Sequence, residues 1–461
     1  MERLEIMGIF GSKEFPGTGS FPHGIHPPGN KFYSAGAQVE VITVPDKVVL
    51  PLLQHIGAPC EPVVKPRQTV ACGEMVGEGQ AFVSASLHTP VAGKVKKIGV
   101  VTLPNGRHLP AIEIKTEGEQ QPCNELWEEM TSTDWSLSTI PDYSPDEIAR
   151  LIHAAGIVGL GGAAFPTHVK VMPNDKRLID SLLVNGCECE PYLTCDYRLM
   201  KEAPHAIVAG ALLAGRAVSA KEIFICIEDN KPEAIEALEL ATRNTVVQVA
   251  VVRTKYPQGS EKQLVKAVLN LDVPLGGLPS DVGVALSNVG TMAAVARAVI
   301  KKGPLTHRIV SVTGGGIVTP KNIFTPIGIS MGELIDFCGG LTEDAARIIA
   351  GGPMMGFAFS DLTTPVTKGT SGITILTHAE TASGEETACV RCGRCVEACP
   401  MNLVPTRLAM AARYKNTALA RQYNINACFE CGSCTYVCPA NIKLVQLIRT
   451  GKAQVAAAMK R

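Results

Sequence analysis

The spacing of apolar residues changes several times along this chain, and each change marks a different kind of element. Between Val41 and about Thr116, short runs rich in Val and Ile are cut by Gly and Pro, as in Gly77-Glu78-Gly79 and His88-Thr89-Pro90-Val91-Ala92-Gly93-Lys94-Val95, which predicts a small β domain. Asp146 to Ala155 repeats with a helical period and stops at Gly156. Leu182-Leu183-Val184 and Glu222-Ile223-Phe224-Ile225-Cys226-Ile227 read as buried strands, with helical stretches from Ala206 to Ala217 and from Pro232 to Thr242 on either side of the second. That alternation predicts an α/β layer. Met331 to Ile335 is helical again. Gly and Pro crowd the region from Met1 to about Asn30, as in Gly17-Thr18-Gly19 and His26-Pro27-Pro28-Gly29, so an extended arm lying on another domain is expected there. Thr367 to Glu386 is polar and rich in small residues, the composition of a linker.

A length of 461 residues suggests about three domains, with a fourth if some are small. Hydrophobic residues make up 46%, charged residues 19% and aromatic residues 5%, a globular balance. The 43 basic residues match 43 acidic ones, so no net field attracts phosphate backbones and no nucleic-acid partner is expected. The longest apolar stretches, such as Ile207 to Gly215, are broken by Arg216 and Lys221 short of the roughly 18 residues a spanning helix needs. Met1-Glu2-Arg3-Leu4-Glu5 lacks the basic start and apolar core of a signal peptide, so a cytoplasmic, reducing compartment is expected. There, the 16 cysteines read as metal ligands or redox groups before disulfides.

Cys389, Cys392 and Cys395 are followed by Cys399-Pro400, and the same spacing returns at Cys428, Cys431, Cys434 and Cys438-Pro439. A tight loop can wrap three such thiolates around one face of a four-iron cubane while the distant repeat supplies the fourth. Cys389, Cys392, Cys395 and Cys438 are therefore expected to hold one [4Fe-4S] cluster, and Cys428, Cys431, Cys434 and Cys399 the other. A pair of zinc sites is the alternative, but zinc needs only four ligands and gains nothing from the Cys-Pro endings. His23 and His26 have no acidic or thiol residue at close spacing and read as surface or packing residues.

In the α/β layer, Gly159-Leu160-Gly161-Gly162-Ala163-Ala164-Phe165-Pro166-Thr167 is followed by Lys170. Bare glycines let backbone N–H groups close on a phosphate and a lysine adds charge, although such a run is also found where there is only a turn. The Leu182 to Val184 strand ends in Asn185-Gly186-Cys187-Glu188-Cys189-Glu190-Pro191, a polar loop at the edge where α/β sheets collect ligands. The spacing of Cys187, Cys189 and Cys195 fits no cluster, so these read as small packing residues.

Together with Tyr256-Pro257-Gln258-Gly259-Ser260-Glu261 and Ser287-Asn288-Val289-Gly290-Thr291, these segments resemble, in the same order, the flavin and NADH motifs of the flavoprotein subunit of respiratory complex I. With the His26-Pro27-Pro28-Gly29-Asn30 arm, the β domain and the doubled cluster motif, essentially the whole chain resembles the RnfC family, the C subunits of Rnf complexes. The resemblance implies FMN held noncovalently by the loop from Gly159 to Thr167, with Gly159, Gly161, Gly162, Phe165 and Thr167 shaping it and Lys170 near the phosphate. It also implies Asn185, Glu188 and Glu190 along the ring and the nicotinamide, with Tyr256, Gly259 and Glu261 beside them and Asn288 and Thr291 completing the pocket. Glu188 is the one candidate for a direct catalytic role. The chain departs from the complex I pattern at Leu160, where Arg is usual, at Ser260, where Glu is, and at Ser287 and Gly290, where Asn and Glu are.

The implied fold is multidomain, α/β and α+β: an arm over 1–40, a barrel-sandwich β domain over 41–130 like those of biotinyl and lipoyl carriers but with no lysine at the hairpin tip, and a Rossmann-like FMN/NADH domain over 136–300. A β-grasp domain over 303–366, a linker over 367–386, a bacterial ferredoxin-like helical module over 387–445 and a tail over 446–461 follow. Within the β-grasp region the resemblance rests on Val312-Thr313-Gly314-Gly315-Gly316 and Thr325-Pro326-Ile327-Gly328, while the Met354-Met355 pair reads as packing. The implied function is that of an NAD-linked iron–sulfur flavoprotein, peripheral on the cytoplasmic face of the cell membrane. It would pass electrons between NAD(H), FMN and two [4Fe-4S] clusters for an ion-translocating complex, with a ferredoxin-like subunit and, indirectly, ferredoxin as partners. The alternatives are a cobalamin-reductase flavoprotein, which lacks the arm and sandwich, a related quinone-reductase subunit, which lacks the cluster motifs, and a cluster-bearing scaffold that binds no nucleotide.

Overall fold

The computed structural model describes residues 15–172, 178–381 and 384–459; the start of the expected arm, residues 1–14, lies outside them. Among the described residues the strands gather into four sheets. The central one is wholly parallel, in the order Val247–Val252, Glu222–Glu228, Ser181–Asn185, Val284–Asn288. Its strands are apolar at successive positions because both faces are covered. Leu182 and Val184 enter one core with the helices Pro145–Ala154, Pro204–Ala217 and Val289–Ile300, while Leu183 enters another with Glu261–Leu269. Gly210 lets two of these helices touch, since a Cβ there would lie 1.8 Å from Met292 O. The elements expected at Asp146 to Ala155, Leu182 to Val184, Ala206 to Ala217, Glu222 to Ile227 and Pro232 to Thr242 are all present.

The arm lies on this domain as expected. Gly17 N–H donates to Val268 O (2.7 Å), Gly19 N–H to Ala267 O (2.9 Å) and Ile25 N–H to Tyr256 O (2.9 Å). His23 and His26 are both exposed. Beyond it, Lys47–Pro51, His108–Thr116, Gly93–Thr102 and Thr69–Val70 form one antiparallel sheet, and Glu61–Pro62, Met75–Glu78 and Leu87–His88 form another. Val48, Leu50, Val76, Val91, Ile112 and Ile114 fill the space between them.

Four of the expected boundaries shift. Val39–Val41 pairs in parallel with Lys321–Pro326, so residue 41 stands in the third sheet and not in the sandwich. Cys123–Thr131, inside the range expected for the sandwich, is a helix whose Leu126 and Met130, four apart, put an apolar stripe on the neighbouring domain. The third sheet runs Val39–Val41, Lys321–Pro326, His307–Thr313, Gly372–Thr377, Ala345–Ala350, Phe357–Phe359. Gly372–Thr377, within the expected linker, is thus an interior strand, with Ile373 and Ile375 fully buried. The expected C-terminal tail is a helix, Leu444–Met459, which buries Leu444, Ile448, Gly451 and Val455 on one face against Pro405–Arg413. Gly451 allows the close crossing, a Cβ there lying 2.8 Å from Ala412 Cβ.

Lys368, also in the expected linker, bolts three units together. Its Nζ donates to Ser86 O of the sandwich and to Gly156 O of the central domain, both at 2.7 Å, its N–H donates to Gln54 Oε1 (2.9 Å), and Arg308 donates to its carbonyl. Burial pushes its pKa down to about 8. No helix among the described residues is long and apolar enough to cross a membrane.

Candidate functional site

Asn185 and Asn288 are register partners at the ends of neighbouring parallel strands, so both amides stand at the carboxyl edge of the sheet. The glycine-rich loop is folded back over that edge. Gly159 N–H donates to Phe165 O (2.8 Å), Thr167 N–H to Ile157 O (3.0 Å) and Leu160 N–H to Thr291 Oγ1 (2.9 Å). These bonds leave Gly161, Gly162 and Ala163 exposed at the apex. Gly162 has φ +103°, a conformation that favours glycine, and a Cβ on Gly161 would stand 3.3 Å from Asn288 Cβ. Asn288 Oδ1 accepts from Gly290 N–H (2.8 Å), capping the Val289–Ile300 helix, while its Nδ2 donates to Asp196 Oδ2 (2.6 Å). The loop apex and the amino end of a 12-residue helix thus meet at one place, as an anion site requires.

Lys170 Nζ lies beside this edge, donating to Glu261 Oε1 (2.7 Å) and Leu286 O (3.1 Å). Asn185 donates to Gly259 O (2.7 Å) and accepts from Cys187 N–H (3.1 Å); a Cβ on Gly259 would come within 3.3 Å of the Asn185 amide. Phe165 is half-buried, and the buried Thr167 hydroxyl has no partner among the described residues. A flat group with a phosphate fits what is present: bare backbone at the apex, a helix amino end, a lysine, two strand-end amides and an unpartnered hydroxyl behind them.

Glu188, at φ +46°, turns its carboxylate back to accept from Asp196 N–H (2.7 Å) and Tyr197 N–H (3.1 Å). Burial pushes its pKa up to about 7, against the pull of Lys31, with Asp196 adding to the rise. Two lysines, Lys31 half-buried and Lys231 buried, hold the rest of that loop. Lys31 Nζ, from the arm, donates to the carbonyls of Glu188 (2.7 Å), Glu190 (2.9 Å) and Leu193 (2.6 Å), and Lys231 Nζ donates to Cys187 O (2.7 Å) and pairs with Glu228 (3.1 Å). Neither was legible in sequence, because a backbone carbonyl gives its partner no signature. Cys187 and Cys195 are buried and their thiols are pushed well up by desolvation, in keeping with packing roles. The Glu188, Cys195 and Asp196 ligand atoms lie within 4.8 Å of one another, the single such group found among the described residues.

Glu190 and Tyr256, expected beside the nicotinamide, make their hydrogen bonds to the segments that close over them. Glu190 Oε1 accepts from the N–H groups of Met354 (2.7 Å) and Met355 (3.0 Å), and Tyr256 donates its hydroxyl to Cys431 O (2.7 Å). Both side chains are committed to the joint with the cysteine-rich module because the Gly351–Gly356 turn and the second motif close over them.

In that module each motif repeats one backbone path. Arg391 and Gly393 in the first, and Glu430 and Gly432 in the second, all have positive φ. The path buries Cys395 and Cys434, and the fourth cysteine of each motif lies towards the other motif. Cys395 senses the charge of Cys438 and Cys389, whereas Cys428, Cys431 and Cys434 each sense that of Cys399. Cys399, Cys428, Cys431 and Cys434 line one pocket. A zinc ion bound at about 2.3 Å would draw its thiolates to within about 4 Å of one another, yet no three of these cysteines lie within 4.8 Å. Burial raises the Cys428 thiol to about 11 and the Cys434 thiol to about 12, so either would ligate as a thiolate only with a metal charge beside it. Cys399→Ser should therefore erase the electron paramagnetic resonance signal of the cluster built on the second motif and spare the other; loss of the first-motif signal alone would reverse the wiring.

Comparison with known proteins finds four families along the chain. Residues 19–119 match the RnfC barrel sandwich hybrid domain, 152–297 the Nuo51 FMN-binding domain, 309–358 the SLBB domain and 385–442 the 4Fe-4S dicluster domain. The chain is 45% identical over 445 residues to the C subunit of the proton-translocating ferredoxin:NAD(+) oxidoreductase complex of Clostridium ljungdahlii, covering 96% of this chain and 95% of that one. It is 41% identical over 396 residues to the C subunit of the Na(+)-translocating ferredoxin:NAD(+) oxidoreductase complex of Acetobacterium woodii, covering 85% and 87%. To the C subunit of the ion-translocating oxidoreductase complex of Rhodobacter capsulatus it is 41% identical over 389 residues, covering 84% and 73%. Among solved structures, an NAD+-reducing [NiFe]-hydrogenase in its air-oxidized state shares the fold at TM-score 0.50 and 18% identity, over 75% of this chain and 72% of that one.

Proposed function

The chain belongs to the RnfC family, the C subunits of ion-translocating ferredoxin:NAD oxidoreductase complexes, and from that premise we propose how its residues divide the work. It is an electron-transfer subunit that holds FMN and iron–sulfur clusters, working with NAD(H), ferredoxin and the other subunits of the complex. We assign the flavin phosphate to the backbone of Gly161 and Gly162 with Lys170, which must then exchange Glu261 for the phosphate. Asn185 and Asn288 orient the ring, Gly259 leaves room beside it, and Gly159, Phe165, Thr167 and Thr291 fix the loop. Glu188 borders the nicotinamide side, its loop held by Lys31 and Lys231. Bound flavin supplies the conversion between a two-electron hydride and single electrons. The observation that carries this reading is the meeting of the exposed glycine apex, two strand-end amides and a helix amino end at one sheet edge.

Cys389, Cys392, Cys395 and Cys438 would hold one cluster and Cys399, Cys428, Cys431 and Cys434 the other. The sandwich, over about 47–116, and the sheet that includes Val39–Val41 and Gly372–Thr377 act as docking and spacing modules, and the cluster module extends through the Leu444–Met459 helix. The protein sits peripherally on the cytoplasmic face of the membrane. Protein purified without oxygen should contain FMN with iron and sulfide for two clusters, and NADH should bleach its flavin absorbance. Iron without flavin would leave only a wiring scaffold. Salt or a mild chaotrope should release the protein from membranes; retention through alkaline carbonate in the absence of the other subunits would contradict peripheral attachment.

A further inference from the structure

The two cluster sites meet the rest of the molecule unequally. Around the first motif, Cys389 and Cys392 are exposed and Val390, between them, is 64% exposed. In the second motif Cys428 and Cys431 are half-buried and Cys434 is buried. Tyr256, 2% exposed, donates to Cys431 O (2.7 Å) and also reaches Glu190 Oε2 (3.4 Å). Glu190 Oε1 takes the N–H groups of Met354 and Met355, and Met354 O lies so close to Gly432 that a Cβ there would approach it to 2.9 Å. A Cβ on Gly352 would stand 2.1 Å from Glu190 Cγ, so the turn is closed tightly over the carboxylate. Gln263 Nε2, from the helix that follows the Tyr256 loop, donates to Pro400 O (3.0 Å), beside Cys399.

Glu190 belongs to the same short loop as Asn185 and Glu188, and Tyr256 to the loop of Gly259. A bonded path of few residues therefore leads from the flavin edge to the backbone of a second-cluster ligand, whereas the first motif is met by the arm, His23 Nδ1 lying 2.8 Å from Glu397 O, with Cys389 and Cys392 left exposed. We propose that Tyr256 and Glu190 are positioning residues of electron transfer: they dock the second-cluster motif on the flavin domain, so that this cluster exchanges electrons with the flavin and the exposed first cluster exchanges them with the partner. The inference rests on the assignment of flavin and clusters made above. The balance is simple: each NADH leaves as NAD+ and one proton, and its two electrons cross the joint one at a time. In the opposite direction the same groups carry two single electrons inward.

The test uses the full chain loaded with FMN and both clusters, mixed with NADH and frozen at intervals for electron paramagnetic resonance. In the unmodified protein the second-cluster signal should rise before the first. Tyr256→Phe and Glu190→Ala should slow that rise by up to about a hundredfold, the scale on which a misplacement of about 1 Å acts, and shift the second-cluster spectrum alone. Flavin bleaching and the KM for NADH should not change. Glu190→Gln should behave nearly as the unmodified protein, because its carbonyl can still accept from Met354 and Met355 and its amide can donate to Tyr256. Unchanged cluster kinetics and spectra in Tyr256→Phe and Glu190→Ala, or a first-cluster signal that rises first, would overturn the proposal. So would a raised KM for NADH in Glu190→Gln with cluster reduction intact, since that would assign the carboxylate to the nucleotide. Failure of NADH to bleach the flavin of the unmodified protein would instead defeat the underlying assignment. The joint would then still be tested by the second-cluster spectra after chemical reduction, which need no NADH.

Discussion

A Cys428→Ser, Cys431→Ser double variant should keep its FMN and bleach it with NADH at the normal rate, while reduction of a one-electron protein partner falls roughly a hundredfold or more, because the clusters are the path by which single electrons leave. Removing two of four thiolates leaves the second cluster without a stable ligand set. The flavin edge survives because its main core is separate: Leu182, Val184 and Leu183 are buried with the central helices, whereas the second motif packs with Leu403, Leu408, Ile425 and Ile448 and meets Tyr256 and Cys189 at the joint through Cys431 and Val437. Hydride transfer needs only a nicotinamide stacked against the ring within the central domain. Small artificial acceptors that reach the flavin directly should still be reduced. The two activities can be followed side by side, by stopped-flow flavin absorbance and by reduction of the protein acceptor. Loss of bleaching with FMN still bound would mean that NADH does not reach this flavin first.

Gly161→Val should expel the flavin from an otherwise folded chain. A Cβ at this position already presses on the Asn288 side chain at 3.3 Å, and valine adds two methyl groups where the phosphate needs bare N–H. Hydrogen bonds to a charged group contribute about 1.5–3 kcal/mol each, so losing one weakens FMN roughly ten- to a hundredfold. The site is exposed, so unfolding of the flavin-free protein should be unaffected. Gly36 provides the control: it has no neighbour within 4 Å of a Cβ and no positive φ, and Gly36→Val should retain FMN. Released flavin fluorescence and thermal unfolding of the flavin-free proteins together make the measurement. Full FMN occupancy in a folded Gly161→Val protein would move the phosphate elsewhere.

Local order along the chain was determined by sequence alone. The continuous apolar run Leu182-Leu183-Val184 dictates a strand covered on both sides, and the helical stretch from Pro232 to Thr242 begins and ends where the structure places it. The doubled cysteine spacing needed no more than its repeat to bring Cys399 to the second motif. Short or weakly patterned pieces were not legible. Val39–Val41 has only three residues and becomes a strand because Lys321–Pro326 offers it an edge. Gly372–Thr377 sits among polar neighbours and is a strand because the sheet has a gap between His307–Thr313 and Ala345–Ala350. The Leu444–Met459 helix needs the Pro405–Arg413 helix to bury its stripe.

Tertiary structure alone decided what the buried polar groups do. Glu190 and Tyr256 sit in motifs whose resemblance implies nucleotide contacts, yet their oxygens meet the backbone of Met354, Met355 and Cys431. Lys31, Lys231 and Lys368 donate chiefly to carbonyl oxygens, those of Lys368 lying 282 and 212 positions away along the chain. Every residue carries the same carbonyl, so no side chain at Ser86 or Gly156 records that a lysine waits for it. A charged group taken out of water must find such acceptors, and which acceptors it finds is fixed only when the folded domains bring their backbones together.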